Sequence, residues 1–126
     1  MPMERLIESS QSLAEICFQF EALAQRLGLT VLAAHDLGES MAQRGRAFDE
    51  ASVLYTLVSW PAVDALLAHD AGLARCLPWR FAVYTRSGAS WLAFQPVQAP
   101  PGLPLRLHAQ VCEVEEKLQQ LADALR

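Results

Sequence analysis

The order of apolar and polar positions sets out the elements of this chain before any single residue does. Residues 4–9, Glu-Arg-Leu-Ile-Glu-Ser, predict a short first strand. Ser12 then stands three residues before Glu15, the spacing at which a hydroxyl and a carboxylate each satisfy an orphan backbone N–H at a helix start. Leu13, Ile16, Cys17, Phe20, Leu23, Ala24 and Leu27 follow as one stripe at helical spacing, and Gly28 ends it. Leu29 to Ala34 is a short apolar run closed by His35 and Asp36, which predicts a strand. Asp36 and Glu39 repeat the capping spacing for a short helix that stops near Gly45, and residues 46–51 read as a loop.

Val53 to Val58 is apolar at nearly every position, the pattern of a central strand covered on both faces. Ser59-Trp60-Pro61 opens a second long helix, with Ser59 placed to cap it and Val63, Leu66 and Leu67 as its buried side. A break at Asp70-Ala71-Gly72 leads into a short helical turn ending at Leu77-Pro78. Trp79 to Thr85 alternates, with Trp79, Phe81 and Val83 on one face and Arg80 and Tyr84 on the other. Ser87-Gly88 is a tight-turn pair, and Trp91 to Gln95 returns as the partner strand. Four prolines between Pro96 and Pro104 predict a stiff connector at 97–104, and Leu107, Val111, Val114, Leu118, Leu121 and Leu125 stripe a C-terminal helix over 105–126 with heptad steps.

These elements, in the order β-α-β-(short α)-β-α-β-β-α, predict an α+β domain with an antiparallel sheet and its helices gathered to one side. Residues 1–96 hold its body; the connector and final helix complete one domain. Apolar residues make up 52% of the 126-residue chain, enough for a core without disulfide staples. The net charge of −4, from 10 basic and 14 acidic side chains, argues against nonspecific nucleic-acid binding. No run is long and apolar enough to span a membrane. Met1-Pro2-Met3-Glu4-Arg5 lacks the pattern of a secretory leader, and three scattered cysteines (Cys17, Cys76 and Cys112) suit a reducing cytoplasm.

The ordered series His35-Asp36-Leu37-Gly38-Glu39, then Val53 through Pro61, Leu66 through Asp70, Leu77-Pro78-Trp79-Arg80-Phe81-Ala82-Val83-Tyr84, and Gly88 leading to Phe94-Gln95-Pro96 resembles the family called domain of unknown function 302. The resemblance implies a TATA-binding-protein-like fold, a helix or two inserted into a β-α-β4-α frame, and a homodimer. The branch it most resembles carries Cys where Ser59 and Trp79 stand here, so no thiol, persulfide or metal chemistry through that pair transfers to this chain.

His35 is the candidate of most chemical interest. Four residues before Glu39, it would share a helix face with that carboxylate and could hold a metal or a proton with it, whereas the alternative is that His35 and Asp36 only cap the helix. Trp79 and Arg80 would form a pocket wall, with Tyr84 on the same strand face as Arg80, suited to an anionic or flat ligand. The alternative there is Trp79 in the core and Arg80 reaching to solvent. Trp60 and Trp91 read as core or dimer contacts, and His69 and His108 have no evident partner.

Three functions follow as expectations. The first is a homodimeric small-ligand-binding or accessory protein without catalysis, its ligand between sheet and helices and its cofactor, if any, unspecified. The second is a redox-, metal- or haem-linked activity through His35, with Glu39 and Cys76. The third is an interaction module that docks its C-terminal helix on a neighbour.

Overall fold

The computed structural model describes residues 5–126. Five strands and four α-helices run in the order β1 (Arg5–Ser9), α1 (Leu13–Arg26), β2 (Thr30–Asp36), α2 (Leu37–Gln43), β3 (Ser52–Val58), α3 (Trp60–His69), a 3₁₀ turn (Ala71–Cys76), β4 (Trp79–Arg86), β5 (Ala89–Phe94) and α4 (Leu105–Leu125). With α2 and α3 read as insertions, this is the β-α-β4-α frame. Of the first predicted strand, Glu4 lies outside the described residues. The sheet order is β1-β5-β4-β3-β2, and every pairing is antiparallel.

Local chemistry sets the joints. At α1 the Ser12 hydroxyl accepts from the Glu15 N–H at 3.2 Å, and Glu15 accepts from the Ser12 N–H at 3.3 Å, completing the capping box. The helix ends as Leu29 N–H donates to Ala24 C=O at 2.9 Å and Gly28 N–H to Gln25 C=O at 3.0 Å, with Gly28 at φ 81°. Ser87 and Gly88, at φ 53° and 84°, form the two-residue turn whose twist matches the β4–β5 hairpin.

Two expectations about α3 change. Ser59 occupies its N-cap, but the hydroxyl makes no capping bond, so the helix begins with only Pro61 reducing its orphan N–H groups. Ala62, Val63 and Leu66 form its buried side, while Leu67, one step round the helix, is 37% exposed.

The core lies on one side of the sheet. Ile7, Val31, Val53, Tyr55, Leu57, Trp79, Phe81, Val83, Leu92 and Phe94 point toward α1 and α4, where Ile16, Phe20 and Ala24 meet Val114, Leu118, Leu121 and Leu125. The whole heptad stripe of α4 is buried against its own chain. The end of α4 is pinned as well: the Ser9 hydroxyl donates to Leu125 C=O at 2.6 Å and Ser10 N–H to Arg126 C=O at 3.0 Å. These bonds satisfy carbonyls that a helix end otherwise leaves unpaired.

The other side of the sheet contributes nothing to either buried cluster. There the register aligns His35, Leu54, Ala82, Ala93 and Leu6 in one row across all five strands. The apolar run of β3 therefore does not mean cover on both faces. Leu54 belongs to an apolar open face, with Leu6 in the same row at 51% exposure.

Tyr55 shows how tightly the covered side is filled. Its ring stacks on Phe20 at 3.7 Å, and burial first, then the Cys17 thiol and the Glu21 charge, hold its phenol above the ordinary 10.0. The folded chain thus keeps a proton that the unfolded chain gives up above about pH 10, so this contribution is complete below that pH and falls as pH rises. Tyr55→Phe is expected to flatten the fall in urea midpoint above about pH 10 relative to wild type. An unchanged slope would mean the phenol ionises as freely in the folded chain as in the unfolded one.

Candidate ligand-binding cleft

The open face and the end of the sheet meet in a cleft of about 660 Å³. Three stretches distant in sequence build it. Pro78 precedes β4, which Trp79 and Arg80 begin, Phe94 to Gln98 leave β5, and Leu6, Leu54, Ala82 and Ala93 supply the apolar row. Cys76 and Leu118 complete the wall. Alternation along β4 explains the division of labour: Trp79 faces inward and packs on the core, while Arg80, one residue on, is exposed on the open face. The Trp79 indole thus packs on the core and also walls the cleft.

Among the described residues, one side-chain hydrogen bond from α4 holds the segment after β5. The Val97 N–H donates to a Glu115 carboxylate oxygen at 2.8 Å, so one acid of the trio Glu113, Glu115 and Glu116 is structural rather than a solvated surface charge. This contact positions the Pro96–Val97 backbone over Leu118.

The five residues singled out from the sequence do not all meet. Trp79 and Arg80 line the cleft; His35, Glu39 and Tyr84 do not. His35, Arg80 and Tyr84 do share the open face, because Leu54 pairs with His35 and with Ala82, and Thr56 pairs with Arg80. Two strand spacings of about 4.8 Å separate β2 from β4, however, which sets His35 well to the side of Arg80. Tyr84 lies in another row, opposite Trp91 and Ser52. His35 is in β2 and Glu39 in α2, since Asp36 takes the cap by accepting from the Glu39 N–H at 2.9 Å. The two therefore do not face one another on a common helix. Among the described residues, no group of three His, Cys, Asp or Glu side chains is placed to hold a metal.

Sequence reasoning did not anticipate the part played by Leu6, Leu54 and the 94–98 segment. Only the strand register brings them beside Arg80. It also missed that Trp91 sits under the Arg86 guanidinium, 4.7 Å from the ring centroid, with its buried indole N–H lacking a partner among the described residues.

A second, larger groove of about 790 Å³ runs beside the β1–α1 loop and Arg126. Its Ser9, Ser10 and Gln11 side chains bond the last carbonyls of α4, and Arg126 also lines it. In the smaller cleft the Arg80 guanidinium stands beside Trp79 and the row Leu6, Leu54, Ala82 and Ala93.

A five-stranded antiparallel sheet packed by helices on one face defines an α+β domain. The chain belongs to the family Domain of unknown function DUF302, which it matches over residues 6–125, the connector and final helix included. Among solved structures, the crystal structure of an uncharacterized conserved DUF302 protein from Bacillus stearothermophilus is similar, with a TM-score of 0.85 at 18% identity over 98% of each chain. That likeness establishes the fold. No curated protein matches the sequence. No helix among the described residues is long and apolar enough to cross a membrane.

Proposed function

We propose that this protein binds a small, flat, largely apolar anion in the cleft, as a homodimer and without covalent chemistry of its own. The observation that supports this reading is the charge of the lining: Arg80 is the one charged side chain among the described residues around a cavity whose other polar side chains, Gln95 and Gln98, are neutral. A guanidinium there attracts a single negative group, and the half-buried Trp79 ring in the cleft wall suits a flat body. The expected position between sheet and helices is occupied by packed core, so the ligand is placed on the open side instead.

A second copy would sit on that same face. Exposed Leu6 favours cover there, and Glu8 and Arg80 give the face both signs of charge for a two-fold pairing. The free thiols Cys17, Cys76 and Cys112 suit the reducing cytoplasm in which we place the protein.

The test uses the dye 1-anilinonaphthalene-8-sulfonate, a flat apolar monoanion, beside its neutral relative N-phenyl-1-naphthylamine, with native mass spectrometry reading the mass of the assembly. A hydrogen bond to a charged group is worth about 1.5–3 kcal/mol, so Arg80→Ala should weaken the sulfonate roughly ten- to a hundred-fold and leave the neutral dye nearly unchanged. Equal effects on both dyes, or none on either, would remove the anion site. A monomer mass at micromolar concentration would remove the dimer.

A further inference from the structure

On the outer side of α4, away from the cleft, His108 and Cys112 stand four residues apart, where helix geometry makes side chains neighbours. The Cys112 Sγ lies 3.6 Å from the His108 Nδ1, and both residues are exposed. Nothing in the fold uses this pair. Neither residue belongs to a buried cluster or lines the cleft.

We propose that His108 and Cys112 form half of a zinc-class metal site, completed by the same pair from a second copy of this chain. Bond lengths carry the first part. With Zn–S at about 2.3 Å and Zn–N at about 2.0–2.1 Å, a tetrahedral angle places a sulfur and a nitrogen donor about 3.6 Å apart. The two atoms already have that separation, so an ion can enter without rearranging the helix. A thiolate with an imidazole selects a borderline-soft ion such as Zn²⁺ over Mg²⁺ or Ca²⁺, which take oxygen ligands.

The count of donors carries the second part. A closed zinc site has four protein ligands, and no group of three His, Cys, Asp or Glu side chains around a common point occurs among the described residues. One chain therefore supplies two vertices, and two copies related by a two-fold axis supply a His₂Cys₂ set. An independent feature also marks this stripe for cover. Leu105, three residues before His108 on the same side of α4, is 88% exposed, and a helix–helix contact through the metal would bury it. The interface is distinct from the open sheet face, so the inference does not rest on the cleft or on the dimer proposed above.

Titration of the full, reduced chain with Co²⁺ tests the proposal. The expected result is a thiolate-to-cobalt absorption band in the near ultraviolet that saturates at one metal per two chains. Zn²⁺ should raise the sedimenting mass at least two-fold, and EDTA should reverse the change. Cys112→Ser and His108→Ala should each remove the band and the mass change while keeping the wild-type melting temperature, since both residues are on the surface; Cys17 and Cys76 remain in both variants as internal controls. The proposal is overturned by binding of one metal per chain with no change in mass, by a band that survives in Cys112→Ser, or by no band at all.

Discussion

Leu121→Glu is expected to unfold the chain, whereas Leu105→Glu on the same helix leaves it folded. Leu121 is fully buried between α4 and the sheet. Its replacement forfeits about 1.5–3 kcal/mol of apolar burial and leaves a carboxylate to be buried without a partner, which costs several kcal/mol more. Against a domain stability of about 5–15 kcal/mol the sum is enough to empty the folded state. Leu105 is 88% exposed at the first turn, where a carboxylate sits well at a helix N-terminus, so its change should stay within about 0.5 kcal/mol. Far-ultraviolet circular dichroism with urea titration checks both. A helix serving only to dock on a neighbour would instead give a folded, soluble Leu121→Glu monomer. That outcome would revive the interaction-module reading and contradict the intrachain packing of α4.

What the sequence made legible was local. The Ser12–Glu15 box, the Ser87-Gly88 turn and the alternation from Trp79 are each written within a few residues, and each recurs in the structure. The heptad stripe of α4 was equally plain, but a stripe reports that a face is oily and not which surface receives it. The same limit produced the misreading of β3. Leu54 is apolar because its face carries an apolar row and a cleft, not because helices cover it. Leu67 shows the limit at the scale of one residue: with only ten residues in α3, the edge of the buried stripe shifts by a single position.

The site was legible only where it is contiguous. Trp79 and Arg80 are adjacent in sequence and both belong to the cleft, whereas Leu6, Leu54 and the segment after β5 join them through pairings between strands distant in the chain. His35 and Glu39 failed to pair for a reason that lay in the sequence. Asp36 is the better cap, and a helix starting at Leu37 leaves His35 in the strand. The pair that does meet on a helix, His108 and Cys112, has the same four-residue spacing, but both residues lie within α4 on its exposed side.

Phe20→Ala is expected to cause the second large loss, about 3–5 kcal/mol, without abolishing folding. Phe20 is fully buried on α1, stacked on Tyr55 of β3 at 3.7 Å and set edge-on to Phe81 of β4 at 5.3 Å. Phe81 in turn stacks on Phe94 of β5 at 5.4 Å, so one aromatic chain ties the helix to three strands. Removing its first ring opens a cavity that the neighbours cannot fill without breaking the remaining contacts. At about 3–5 °C per kcal/mol for a domain of this size, the melting temperature should fall by roughly 10–20 °C. Phe18, two residues earlier and 90% exposed on the opposite side of α1, supplies the matched control, and its alanine variant should melt within a few degrees of wild type. Calorimetry on the three proteins decides the matter. If Phe18→Ala and Phe20→Ala lose equal stability, α1 is not packed by the face assigned to it here, and the one-sided core beneath the cleft is wrong.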